Sequence, residues 1–134
     1  MTAAFKTRPR GIRNNNPGNI RYDGTQWRGL RGDDGAYCIF DTPEHGIRAI
    51  AKILRTYQSK GVNTITKVIG RWAPPTENDT AAYIASVAGK TGIAPDAALI
   101  SADWPALIAA IIHHENGQQP YTKEQILAGI EGAA

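Results

Sequence analysis

Apolar and polar positions follow two rhythms along the chain. Residues 14–40, "NNNPGNIRYDGTQWRGLRGDDGAYCIF", set short β-prone pieces among many Gly, Asn and Asp residues. Strands are predicted near residues 20–22, 26–30 and 36–40, separated by turn signals at Asp23-Gly24 and Asp33-Asp34-Gly35. Beyond this stretch the period becomes helical. Thr42 and Pro43 form an N-cap followed by an N1 proline, and Ile47, Ile50, Ile53, Leu54 and Tyr57 recur at helical spacing until Gly61. A shorter helix is expected over residues 63–72, stopped by Pro74-Pro75, and another from an Asp79 or Thr80 cap to Gly89. Residues 95–99 suit one short turn. Ser101 is the expected cap of a strongly apolar helix that ends at Gly117, with Pro105 tolerated in its first turn. Thr122 opens a last helix, with Gln125 three residues on as its capping-box partner. The fold class is therefore α+β and predominantly helical, with a small irregular antiparallel β element near the N-terminus.

Composition narrows the class. A chain of 134 residues with 42% hydrophobic residues suits one compact domain over residues 14–134, preceded by a flexible basic arm over residues 1–13. No segment nears the roughly 18–20 continuous apolar residues of a membrane span, and the N-terminus lacks the apolar core of a secretory signal. The lone Cys38 reads as a small buried hydrophobe. Net charge is +3, and Lys6, Arg8, Arg10, Arg13, Arg21, Arg28 and Arg31 precede most of the acids. That bias suits an anionic partner, such as an acidic cell-wall polymer, or simply a solvated arm. No aromatic ladder interleaves the charges, so nucleic acid is not the expected partner.

The apolar helix carries the chemistry. At 100° per residue Glu115 falls within about 20° of Trp104 and Ile108 and about 40° of Ile111, on the stripe that must face the core. Partial burial and the negative end of the helix dipole both disfavour an ionised carboxylate there, and a general acid must carry its proton. The same text also fits a helix-end glutamate curling back to solvent. His113 and His114 point about 100° apart and cannot share a metal as an i, i+4 pair does, so neither a metal nor another cofactor is expected.

Two stretches add a resemblance. "NNNPGNIRYDGTQWRG" with "YCIFDTPEHGIRAIAKIL", and then "RWAPPTENDTAAYIASV", are similar to segments of bacterial glucosaminidases and related lysozyme-superfamily murein hydrolases. In those families an apolar helix ending in Glu-Ser-Gly comes first; here the similar "AIIHHENG" comes last. The order of segments resembles a circularly permuted lysozyme-like domain, of the kind found in small phage virion or lysis proteins of the cystovirus lysin type. Asn116 departs from the usual serine.

The resemblance implies a peptidoglycan-degrading enzyme that cuts the glycan strand as a lytic transglycosylase or a muramidase. Alternatives are a stem-peptide endopeptidase on the same fold and a non-catalytic wall-binding or structural virion module. Glu115 matches the catalytic acid and Tyr83 a tyrosine near the scissile bond, while Asn16, Asn19 and Arg21 match the segment lining the sugar cleft. Trp27, Trp72 and Tyr121 could stack on sugar rings, Asn78 and Gln118 could donate to N-acetyl groups, and His114 could orient a neighbour of the carboxylate. Hydrolysis would call for a second carboxylate, with Glu77, Asp79 and Glu44 as candidates. The expected partner is peptidoglycan, with other virion proteins if the chain is packaged; no nucleic acid and no stable membrane insertion are expected. Such a protein is made in the bacterial cytoplasm and acts in the periplasm or wall.

Overall fold

The structure, a computed structural model, describes residues 8–134. It is an α+β fold in which helices dominate. The elements are α1 (Arg10–Arg13), β1 (Leu30–Asp33), β2 (Cys38–Phe40), α2 (Pro43–Ser59), α3 (Ile65–Trp72), α4 (Thr80–Thr91), a 3₁₀ turn (Ser101–Asp103), α5 (Trp104–Asn116) and α6 (Lys123–Gly132). Of the arm expected over residues 1–13, residues 1–7 lie outside the described residues. The remainder corrects the expectation, because α1 buries Gly11 and Ile12 instead of standing in solvent.

The β element is smaller than its text suggested. β1 and β2 pair antiparallel in the register Leu30 with Phe40, Gly32 with Ile39 and Asp33 with Cys38, and a bulge follows Leu30. The turn between them is built on Asp34, whose Oδ1 accepts from the Ala36 and Tyr37 amides at 3.0 and 2.8 Å. Residues 26–29 form no strand, and the piece at 20–22 is reduced to a single bridge between Arg21 and Tyr37. The pairing therefore begins at Leu30, where the Trp27–Leu30 turn (Leu30 N to Trp27 O, 3.1 Å) ends.

The helix caps follow the sequence more closely. Thr42 caps α2, Asp79 caps α4 and Thr122 caps α6, each accepting a backbone N–H of the first turn, and the Thr122–Gln125 capping box is complete. Thr64 caps α3, which starts two residues later than expected. Gly89 does not end α4; the helix runs to Thr91 and stops at left-handed Gly92, φ 72°. Ser101 is not the cap of α5 either. It opens the 3₁₀ turn, in which Asp103 Oδ2 accepts the Ile100 amide at 2.9 Å.

One apolar cluster holds the helices together. Ile47, Ile50 and Leu54 of α2, Val68 and Ile69 of α3, Val87 of α4, Leu107, Ile108 and Ile111 of α5 and Ile126 of α6 are all buried in it. Trp104 joins them at 6% exposure, as the stripe shared with Glu115 required. A second, smaller cluster of Cys38, Phe40 and Ala49, with Trp27 and Leu30 against it, ties the β element to α2. Burial also pushes the Cys38 thiol up, which keeps it a protonated packing group.

Candidate active site

The asparagine run is a clip, and each member has its own job. Asn14 O accepts the Phe40 amide at 2.8 Å, and the Asn15 amide donates to Phe40 O at 3.2 Å and Asp41 O at 3.3 Å. Asn16, wholly buried, donates to Ile20 O and Cys38 O and accepts from the Ile20 amide, each at 3.0 Å. These bonds saturate backbone groups that the irregular loop would otherwise bury unpaired. The chain then turns through Asn19, which holds a left-handed backbone at φ 50°. Asparagine adopts that conformation more readily than most side chains, so the turn itself favours the residue.

That turn delivers the Asn19 side chain to the end of α5. Its amide donates to Glu115 Oε1 at 2.9 Å, while the Tyr83 hydroxyl, from α4, donates to Glu115 Oε2 at 2.8 Å. Glu115 is half-buried at the last turn of α5, and Gly117 ends the helix in left-handed conformation, φ 71°. The next residue fastens the helix end to the clip: buried Asn116 donates to Pro17 O at 2.8 Å and to Ile112 O at 3.0 Å. Both oxygens of Glu115 are thus fixed by neutral donors from two other elements, and the carboxyl has little freedom to rotate.

Tyr83 is itself tightly held. It is buried at 2% exposure, and its ring stacks on the His114 ring with centroids 3.7 Å apart. Burial, reinforced by the charge of Glu115, pushes the Tyr83 phenol far above its ordinary value, so it remains a protonated donor. Burial lowers the His114 imidazole more than Glu115 raises it, and Lys90 and His113 lower it further, so His114 is neutral near pH 7.

Glu115 opens onto a hollow of about 110 Å³ lined by Gly18, Asn19, Arg21, Tyr37, Trp72, Ala73, Pro74, Glu77 and Asn78. This hollow shares Gly18, Asn19, Arg21, Trp72, Pro74 and Glu77 with a second one of about 430 Å³, which adds Ile20, Asp23, Ile53, Tyr57 and Arg71. The two form one groove. The Arg21 guanidinium lies 3.7 Å from the Glu77 carboxylate at its rim and 5.1 Å from the centre of the Tyr37 ring. Chemically, the arrangement offers a pre-oriented carboxyl that can exchange a proton with a molecule lying in an open, mixed polar and aromatic groove.

No family model matches the chain. It is 49% identical over 128 residues to Protein P5 of Pseudoalteromonas phage PM2, which covers 91% of this chain and 80% of that protein. The chain belongs to the family of that phage protein. No described helix is long and apolar enough to cross a membrane.

Within this member of the phage family, the expected site residues divide. Glu115, Asn19, Arg21, Trp72 and Asn78 meet in the groove, and Tyr83 meets Glu115 from behind it. Asn78 keeps part of its amide busy on Pro74 O at 3.1 Å. Asn16 is corrected to a buried structural residue with no group left for a ligand. Trp27 packs on the Cys38–Phe40 cluster and does not line the groove. Tyr121 packs on the main core, Gln118 is exposed away from the groove lining, and His114 reaches Glu115 only through the Tyr83 ring. Asp79 is a helix cap and Glu44 accepts from Gln125 at 3.3 Å, so of the three candidate second carboxylates Glu77 is the one that lines the groove, where Asp23 also lies. Sequence reasoning missed Tyr37, Tyr57 and Arg71 as groove residues. Tyr57 lay on the apolar stripe of α2, and Arg71 had no signal beyond its place beside Trp72.

Proposed function

We propose that this chain is a peptidoglycan-degrading enzyme that cuts the glycan strand, with a circularly permuted lysozyme-like fold and Glu115 as general acid. The observation that carries the reading is the grip on Glu115: Asn19 and Tyr83 hold its two oxygens where the helix end meets an open groove. A strand in the groove would place a glycosidic oxygen against the carboxyl, which donates its proton to the leaving sugar. Tyr83 and Asn19 then stabilise the carboxylate that is left, each contributing a hydrogen bond to a charged acceptor. Arg21, Trp72 and Asn78 offer charge, an aromatic face and an amide to the sugars. Membership of a phage protein family supports delivery to the wall by a virion particle or at lysis.

Completion of the reaction has two readings. A transglycosylase lets a hydroxyl of the substrate attack and needs no second carboxylate. Glu77, in the same groove, favours keeping hydrolysis as the second reading, because it could activate a water. Zymography on purified sacculi with the wild type and Glu115→Gln tests the acid, with clearing expected from the wild type alone. Equal clearing by both proteins removes Glu115 from the chemistry. Mass spectrometry of the products separates the readings: anhydro-muropeptides mean transglycosylase, reducing-end sugars mean hydrolase, and cut stems on intact glycan mean endopeptidase.

A further inference from the structure

We infer that Arg71 and Tyr57 form an anion subsite at the far arm of the groove, which binds a carboxylate on a side branch of the glycan. The inference rests on the lytic reading for its polymer, but its physical basis is separate. Arg71, in the last turn of α3, is exposed in the groove wall and has no carboxylate partner among the described residues, whereas Arg21 has Glu77 and Arg10 has Asp34. Tyr57 stands beside it on α2, half-buried, with no hydrogen bond to its hydroxyl among the described residues. Burial raises the Tyr57 phenol while the nearby Arg71 charge pulls the other way, so the hydroxyl stays a neutral donor facing a cation.

Two donors without an acceptor therefore share one hollow, walled by Ile53, Trp72 and Pro74. Of the two acids in the lining, Glu77 faces Arg21 at 3.7 Å, and Asp23 already accepts from the Thr25 hydroxyl at 2.6 Å and the Thr25 amide at 3.0 Å. The ligand that satisfies this set is a carboxylate on an aliphatic or amide-bearing branch. The guanidinium takes it as a charged hydrogen-bond partner, the phenol adds a second bond, and the apolar walls take the branch. Continuity with the Glu115 hollow through Trp72 and Asn19 places that branch on the same polymer whose backbone lies at the acid. In peptidoglycan the branch carboxylates belong to the stem peptide, or to the lactyl group once the stem has been removed.

The test measures binding, so it does not depend on turnover. Full-length Glu115→Gln protein, with and without Arg71→Gln, is titrated with stem-bearing glycan strands, amidase-stripped strands that keep only the lactyl carboxylate, and chitohexaose, which has none. Arg71→Gln is expected to weaken binding of stem-bearing strands about 10-fold and to leave chitohexaose unchanged, with Tyr57→Phe giving a smaller loss in the same pattern. A matching loss on stripped strands assigns the lactyl carboxylate; full retention there assigns the stem. Equal affinities with and without Arg71, or an equal loss on chitohexaose, overturn the subsite. Strands that bind with this pattern but are never cut by the wild type overturn the lytic reading and leave the subsite standing. Cutting by the wild type with no Arg71 effect does the reverse, and no binding to any strand overturns both.

Discussion

Tyr83 reaches Glu115 from α4 with a phenol that burial and the carboxylate's own charge keep protonated, and His114 covers the other face of its ring. Replacing Tyr83 by Phe keeps the ring stack and removes one donor at 2.8 Å from the carboxylate. A hydrogen bond to a charged group contributes roughly 1.5–3 kcal/mol, so activity on sacculi should fall about 10–100-fold. Dye release from labelled sacculi checks this, and a wild-type rate for Tyr83→Phe would show that the hydroxyl does not support the acid. At this scale the sequence was legible wherever one side chain's phase decided the outcome. Glu115 could be placed because three buried residues, Trp104, Ile108 and Ile111, mark its stripe. Asn16 and Asn19 could not be told apart, since both sit in one polar loop. Only the fold shows one spending every polar atom on backbone while the other reaches helix α5.

Elements were legible through their ends more than through their middles. Thr42, Asp79 and Thr122 carry local hydrogen-bonding chemistry that needs no tertiary partner, and all three cap the helices expected of them. The strands needed a partner, so residues 26–29, β-prone in composition, lost their pairing to the stretch that begins at Leu30. Gly89 misled for a similar reason, because a glycine inside a helix looks like a terminus until its surroundings are known. Two helical glycines now make opposite predictions. A Cβ on Gly129 of α6 would lie 2.5 Å from Ile47 Cγ2 and 3.0 Å from Glu44 O, in the contact between α6 and α2. One on Gly89 would meet nothing within 4 Å. Alanine gains up to about 1 kcal/mol over glycine from helix propensity, and forcing a methyl into a packed site costs about 1–3 kcal/mol. Gly89→Ala should therefore raise the urea midpoint, and Gly129→Ala should lower it by an amount worth about 1–2 kcal/mol. A shift of the same sign in both would contradict the close packing of α6 on α2.

Over the whole molecule, the site exists only when distant parts of the chain meet: Asn19 and Glu115 are 96 residues apart in sequence. The clip, the core and α6 must all be in place, so protonation events that loosen the fold also dismantle the groove. Two tyrosines set the alkaline limit, Tyr83, which is buried, and Tyr121, which is half-buried with its hydroxyl enclosed. Burial, with Glu44 adding and Arg8 opposing, pushes the Tyr121 phenol up to about 12, and Tyr83 is raised further in the same direction. In the unfolded chain both titrate near pH 10. Below that pH neither group distinguishes the two states. Above it the unfolded chain releases protons that the folded protein keeps, so stability declines as pH rises from about 10 toward 12. The Tyr121 hydroxyl is buried with no hydrogen-bond partner among the described residues, so Tyr121→Phe removes a titration without removing a bond. The variant should match or slightly exceed the wild type in urea midpoint at pH 7, and its advantage should widen steadily through the alkaline window. Midpoints at four or five pH values decide it. Parallel curves for the two proteins across that window would mean that Tyr121 ionises as freely in the folded protein as in the unfolded chain.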